Sequence, residues 1–262
     1  MLTRIRAPEA APAQGESELG SVSLRDACKT FPAGRRGAEP VSALAGVSLH
    51  AGPGEIVAVV GPSGCGKSTL LELVCGLIEP DAGTVDAAPA ALMAQRDLLL
   101  PWRSAVDNAA LALRVAGVGR EAARARARAL LRDFGLEGFE RARPHELSGG
   151  MRQRVAFART LLSGRTVLCL DEPFAALDAL TRQEMQDWLA GALAVVPRTV
   201  VLVTHDVEEA IVLADRVIVL SPRPGRVAAT LDVDVSRPRR RTDADLVALR
   251  ERATGALQEA RG

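Results

Sequence analysis

Gly61-Pro62-Ser63-Gly64-Cys65-Gly66-Lys67-Ser68-Thr69 follows the apolar run Ile56-Val57-Ala58-Val59-Val60 and precedes Leu70-Leu71-Glu72-Leu73-Val74. The pattern is G-x-x-x-x-G-K-S between a strand-like and a helix-like segment, the context a phosphate-binding loop requires. A triphosphate is densely anionic, and backbone N–H groups aimed from a turn that opens a helix hold it with the help of the helix dipole. Gly61, Gly64 and Gly66 let the backbone curl inward, with Pro62, Ser63 and Cys65 between them. Lys67 is expected to reach the terminal phosphates, the Ser68 hydroxyl to ligate Mg²⁺, and Thr69 to continue the helix.

Upstream, Ser21–Ala27 and Val47–His50 alternate in polarity and read as antiparallel strands flanking the apolar strand that feeds the loop. Phe31 is either a strand-end core residue or a stacking surface for adenine. Residues 1–20, rich in Ala, Pro, Glu and Gly without periodicity, read as a disordered lead-in. Downstream, Ser68–Gly76 reads as a helix, Asp81-Ala82-Gly83 as a turn, and Ala90–Ala94 as a short strand that delivers Gln95. Leu98-Leu99-Leu100-Pro101-Trp102-Arg103 is a Pro-broken apolar cluster, either a loop folded into its own core or an exposed docking patch. Glu121–Phe134 reads as an amphipathic helix whose arginines form a solvated face, and Ser148 is placed to N-cap the helix that follows. Thr166–Leu170 and Thr199–Val203 are continuous apolar runs, as strands buried on both faces of a parallel sheet are. They end in Asp171-Glu172-Pro173 and Thr204-His205-Asp206, and ligands bind at the carboxyl ends of such strands. Helices are expected over Thr181–Val195, Val207–Ala214 and Asp243–Ala260, and closing strands over Arg216–Leu220 and Val227–Val235.

The 262 residues, 48% hydrophobic and 25% charged, are those of an ordinary globular protein, and the net charge of +1 gives no case for a nucleic-acid partner. The arginines around Arg223, Arg226 and Arg237–Arg241 lack interleaved aromatics and read as a solvated edge. No run approaches a membrane span, and Arg4 and Arg6 are not followed by the apolar core of a secretory signal, so a cytosolic chain is expected. Cys28, Cys65, Cys75 and Cys169 show no C-x-x-C pairing or metal-ligand spacing. Cys65 sits at a helix N-terminus beside Lys67, where a thiolate is favoured. Alkylation of Cys65 is therefore expected to block nucleotide binding, with ATP protecting it.

These residues together resemble the ATP-binding subunit of an ABC transporter from about Val22 to Gly225. Six elements carry the likeness in the family's order: the phosphate loop, Gln95, Leu147-Ser148-Gly149-Gly150-Met151-Arg152-Gln153, Asp171-Glu172, Ala176-Leu177-Asp178, and His205. The resemblance implies an α/β fold of the P-loop NTPase class, with a mainly parallel core sheet, an antiparallel β subdomain and an α-helical subdomain over about 96–160. The ATPase domain is expected over 21–235, followed by a basic segment and helix over 236–262. It also implies roles. Asp171 holds the Mg²⁺ shell with Ser68, Glu172 acts as general base, and His205 contacts the γ-phosphate. Gln95 senses Mg²⁺ and water and links to the membrane partner. Ser148, Gly149 and Gly150 close over the ATP of a second copy, and Asp178 lies at that dimer contact. Membrane subunits, a second ATPase copy and an extracytoplasmic solute-binding protein are the implied partners, at the cytoplasmic face of the inner membrane.

Leu99–Arg103, Asn108, Pro144–Leu147, Asp171–Phe174 and Leu177–Arg182 are similar to the nitrate, sulfonate and taurine class of importers, which makes Leu100-Pro101-Trp102 the docking patch for a membrane subunit. Ala94, Phe31 and Ala175-Ala176 depart from the usual residues at their positions without removing a catalytic group. A soluble ABC-type ATPase acting on nucleic acid usually carries two cassettes or a coiled-coil insertion, and neither is present. A decayed regulatory module would not be expected to keep Lys67, Glu172 and His205.

Overall fold

The computed structural model describes residues 19–32 and 39–260. The expected lead-in over 1–20, except its last two residues, and residues 33–37, where Pro32-Ala33-Gly34-Arg35-Arg36-Gly37 reads as a turn-rich loop, lie outside the described residues.

Two sheets share one helix. The chain begins with β1 (Val22–Phe31) and β2 (Val41–Ala51), continues through β3 (Ile56–Val60) into α1 (Lys67–Val74), and returns as β4 (Ala82–Ala87) and β5 (Ala90–Met93). Strands β2-β1-β4 form an antiparallel sheet. After α2 (Ala105–Ala109), α3 (Leu111–Val115), α4 (Arg120–Asp133) and α5 (Gly149–Leu161), the chain alternates β6 (Val167–Asp171), α6 (Ala179–Val195), β7 (Thr199–Thr204), α7 (Val207–Leu213), β8 (Arg216–Leu220), β9 (Val227–Asp232) and α8 (Ala244–Glu259). The second sheet has the order β5-β6-β7-β3-β8-β9, parallel except for the edge strand β9. The mainly parallel core sheet and the antiparallel one are as the sequence predicts.

The period of two in a strand explains why β3, β6 and β7 are apolar at every position. Val57 and Val59 face a core shared with Leu70, Leu71, Leu73, Val74 and the inner residues of the antiparallel sheet. Ile56, Ala58 and Val60 face the opposite core, built with α5, α6, α7 and α8. Burial of each such Val or Ile side chain is worth about 1.5–3 kcal/mol, so two packed faces make this strand a rigid base for the loop at its end. Among the described residues no helix is long and apolar enough to cross a membrane.

Four local readings are corrected. Ala82 and Gly83 begin β4 and do not form a turn, because Asp81 pins β1 through Lys29 Nζ (2.8 Å) and the Thr30 amide (2.6 Å) and leads straight into pairing with Cys28. Residues 105–115, given no element by the sequence, form α2 and α3, started by Ser104, whose hydroxyl accepts from the Asp107 amide. Arg124 is not part of a solvated face: it donates twice to Asp107 at 2.7 Å and ties α4 to α2. That bidentate partner holds the Asp107 carboxyl below the usual range.

The fourth correction concerns the arginines after β9. Arg239 is a cap and not a solvated edge: its guanidinium donates to the carbonyls of Ile211 (2.9 Å), Val212 (3.3 Å) and Ala214 (2.5 Å), and also to those of Val233 and Val235. These satisfy the orphan C=O groups at the end of α7. Arg237 adds the carbonyl of Leu213 and an ion pair with Asp215. Burial, and then the neighbouring Arg237 charge, draw the Arg239 pKa down to about 10, so it stays charged at neutral pH. Replacing Arg239 by Ala should lower the unfolding free energy by about 2–3 kcal/mol, since several buried carbonyls lose a charged donor, and Lys should recover only part of it. Urea denaturation of the three proteins measures both differences.

Candidate nucleotide site

The ladder of the parallel sheet sets the geometry. Val60 of β3 is level with Thr204 of β7, Asp171 of β6 with Val203, and Leu170 with Met93 of β5. The residues that follow are therefore delivered to one edge: Gly61 and its loop, His205, Glu172 and Gln95. Because Phe31 pairs with Val41 of β2, the end of β1 lies two positions from Ala43, the residue that meets the loop.

The loop is held by close backbone contacts. Gly66, the N-cap of α1, has φ +103°, and a Cβ there would stand 2.6 Å from the Ala43 carbonyl oxygen. Gly225 supports the other side: its N–H donates to Ala43 O (2.9 Å), its carbonyl accepts from Ala45 N (3.0 Å), and a Cβ would meet the Cys65 carbonyl at 2.2 Å. The site residues read from the sequence do not include Gly225; the one signal available is a Pro-Gly pair in the loop between the two closing strands. Lys67, only 7% exposed, folds over the loop with Nζ on the carbonyls of Gly61 (2.7 Å) and Pro62 (3.0 Å). Ser63, Gly64 and Ser68 are exposed at the mouth, with Thr69 partly covered behind them.

Cys65 does not behave as its position suggests. It is 1% exposed and packs in the core with Leu70 and Val59. Burial pushes the thiol pKa up, the Lys67 charge offsets this only in part, and the expected thiolate is not favoured.

Asp171 is buried at the end of β6, and its carboxyl is raised chiefly by burial, with the Ser68 hydroxyl pulling the other way. A buried carboxylate beside a hydroxyl is a hard oxygen pair that suits Mg²⁺, which takes one or two protein oxygens and fills its remaining positions with phosphate and water. Glu172 follows at φ +48°, a left-handed conformation that a residue with a Cβ holds at a cost of about 1–3 kcal/mol. Three backbone contacts maintain it: its N–H donates to Val203 O (2.8 Å), and its carbonyl accepts from Ala175 N (3.2 Å) and Gln153 Nε2 (3.4 Å). The turn brings Glu172 Oε2 to 3.0 Å from His205 Nδ1.

Ser148 N-caps α5, its hydroxyl accepting from Met151 N at 3.3 Å. Gly149 and Gly150 form the first turn, and a Cβ on Gly150 would touch Leu177 Cδ2 at 3.2 Å. Among the described residues no hydrogen bond joins Ser148–Gly150 to Gly61–Thr69; this pair of helix N-termini is not brought together within one chain. Asp178 is exposed and N-caps α6 through Thr181 N (3.0 Å), a bond that lowers its pKa. Phe157 of α5 contacts Phe134 (5.7 Å between centroids), Phe174 (5.9 Å) and Trp188 of α6 (6.4 Å). The helix bearing Ser148 is thereby packed onto the segment that follows Glu172.

Gln95 is exposed just past β5. The segment after it is pinned by α5: Arg152 Nε donates to Asp97 Oδ2 (2.9 Å), and Arg159 donates to the carbonyls of Asp97 and Leu98 (both 2.8 Å). Buried Asn108 holds the next turn, accepting from Leu100 N and donating to the carbonyls of Leu100, Arg103 and Ser104. Leu99 goes inward, while Leu98 and Trp102 stand out at 61% and 70% exposure. The loop thus folds Leu99 into its own core and leaves Leu98 and Trp102 at the surface.

Residues 44–175 match the family described as ABC transporter. The taurine import ATP-binding protein of Burkholderia pseudomallei is 49% identical over 214 residues, 78% of this chain and 82% of the relative. The aliphatic sulfonates import ATP-binding protein of Rhodococcus jostii is 48% identical over 221 residues, 82% of this chain and 86% of the relative. Among solved structures, the dimeric post-hydrolysis state of an ATP-binding cassette bound to ADP and phosphate has a TM-score of 0.74 at 30% identity, covering 82% of this chain and 100% of that one. With the family matched over half the chain and close relatives over most of it, this chain belongs to the ABC transporter family as an ATPase cassette.

Proposed function

We propose that this ATPase energises import of a small solute through partner membrane subunits, with ATP held between two copies and Glu172 as the general base. The observation that carries the reading is the Glu172–His205 pair, 3.0 Å apart on the sheet edge that also bears Lys67 and Asp171. The Glu172 carboxylate, 14% exposed and held by a fixed backbone turn, is set to take the proton of an attacking water. His205, its other ring nitrogen free to face outward, stabilises the transferring phosphoryl oxygens together with Lys67. Ser68 and Asp171 would hold Mg²⁺, which supplies charge neutralisation between the β- and γ-phosphates. Gln95 lies two residues past Met93, the ladder partner of Leu170, on the edge that bears Glu172, and is assigned to the same attacking water. Phe31 offers its ring to adenine at the end of β1. Ser148, Gly149, Gly150 and Asp178 contact the nucleotide of the second copy, a reading supported by the dimeric cassette to which the chain is similar.

Leu100, Pro101 and Trp102, fixed by Asn108 and flanked by Gln95, are the docking surface for the membrane subunits, at the cytoplasmic face of the cell membrane. The relatives named for taurine and aliphatic sulfonates support a small anion or zwitterion as cargo, with nitrate as the third member of that class, delivered by an extracytoplasmic binding protein.

Purified wild type should hydrolyse ATP in Mg²⁺, while Glu172→Gln should lose roughly 10²–10⁴-fold in kcat and accumulate an ATP-bound dimer in light scattering. Hydrolysis by Glu172→Gln at the wild-type rate would remove Glu172 from the base role. For the cargo, the host strain with and without this gene is grown on taurine, an alkanesulfonate or nitrate as sole sulfur or nitrogen source. Loss of growth on one of them names the solute, and unchanged growth on all three rules out the class.

A further inference from the structure

Between α6 and α7, away from the nucleotide loop, lies a polar cluster that the reaction as described does not use. Gln186 of α6 and Glu209 of α7 are each 4% exposed, with Gln186 Nε2 donating to Glu209 Oε2 at 3.4 Å. Arg182, one turn earlier on α6, reaches two ways: Nη2 donates to the Leu177 carbonyl (3.2 Å), the peptide that leads into Asp178, and Nη1 lies 3.7 Å from Asp206 Oδ2. Asp206 follows His205 directly, and its other oxygen accepts the amides of Glu208 (2.9 Å) and Glu209 (3.2 Å) as the N-cap of α7. Among the described residues Arg182 Nε and Glu209 Oε1 are both buried without a hydrogen-bond partner, a spare donor and a spare acceptor on facing helices. Behind them Arg241 donates to Gln186 Oε1 (2.6 Å) and pairs with Glu208 (3.2 Å), so the segment after β9 closes the cluster.

We propose that Arg182 and Glu209 are positioning residues of the ATPase reaction, Arg182 clamping the Leu177–Asp178 peptide to the Asp206 that carries His205, and Glu209, buried on α7 facing Arg182, competing for the same guanidinium. The inference rests on the roles assigned above to His205 and Asp178. Its physical basis is competition for one guanidinium. The groups facing Glu209 are Asp206, Glu208 and Thr204 on its own side, Arg182 and Gln186 from α6, and Arg241 behind Gln186. Burial first, and then the Asp206 charge, push the Glu209 pKa up to about 8. Below that pH the acid is neutral and leaves Arg182 to Asp206 and Leu177. Above it the new carboxylate draws Arg182 Nε and repels Asp206, so the clamp slackens as pH rises through about 8.

The test is steady-state ATPase kinetics of the full chain from pH 6.5 to 9.5, with thermal unfolding as a control for folding. Arg182→Ala should lower kcat roughly 10- to 100-fold with KM for ATP within about two-fold, because remote misplacement of a catalytic group costs this much. Arg182→Lys should restore little, since one ammonium cannot span both partners. Glu209→Gln, which cannot ionise, should keep the wild-type kcat at pH 7 and lose the fall in kcat above pH 8. If Arg182→Ala does not fold, Arg182→Gln and Asp206→Asn read the same clamp. A folded Arg182→Ala with wild-type kcat overturns the proposal, as does a Glu209→Gln profile that falls above pH 8 like the wild type. His205→Ala separates the two layers: if it is inactive beside an active Arg182→Ala, the clamp alone fails, and if it is itself fully active, the assignment of His205 fails and takes the clamp with it.

Discussion

The register of the parallel sheet is the constraint on which the rest depends. Lys67, Asp171, Glu172, His205 and Gln95 are scattered over more than half of the chain, and no local contact could assemble them. Backbone ladders β5-β6-β7-β3 bring their strand ends to a common edge, and a slip of one residue would turn every side chain to the opposite face. What prevents the slip is burial on both faces: each strand divides its side chains between two cores, so neither register neighbour is free of a packing penalty. Chemistry at the edge is a consequence of hydrocarbon in the middle.

Around this edge the structure builds connections of a mechanical kind. Arginines of α5 hold the segment after Gln95, Gln153 of the same helix reaches the Glu172 carbonyl, and the Phe157 ring packs on Phe174. One helix therefore touches the loop bearing Trp102, the acidic turn, and the segment leading to Asp178. Packed rings and charged hydrogen bonds thus tie the position of all three to that of α5.

Sequence reading went far where chemistry is encoded in short patterns and failed where it depends on distant partners. The G-x-x-x-x-G-K-S loop, the apolar runs of β6 and β7 and the N-cap at Ser148 were legible because local physics determines each. Helices α2 and α3 were not, for their short apolar stretches have no period of their own and exist by packing under α4 and α5. The basic run around Arg239 looked like surface charge because nothing in it names the carbonyls of α7. Cys65 misled in the opposite sense: its neighbours Lys67 and the helix start argue for a thiolate, while the burial that decides the matter is invisible in one dimension. Gly225 and Glu209 matter through what stands opposite them, and only the fold shows that.

The capping of α7 by Arg239 separates two senses in which this protein can be complete. The residues proposed to touch nucleotide all lie at or before His205. The helix that His205 and Asp206 begin, however, is not terminated until a guanidinium more than thirty positions later closes on Ile211, Val212 and Ala214. A polypeptide ending before Arg239 would leave those carbonyls without a charged donor and the end of α7 free to fray. Limits drawn from motifs alone would thus cut off the residue that satisfies the last carbonyls of α7.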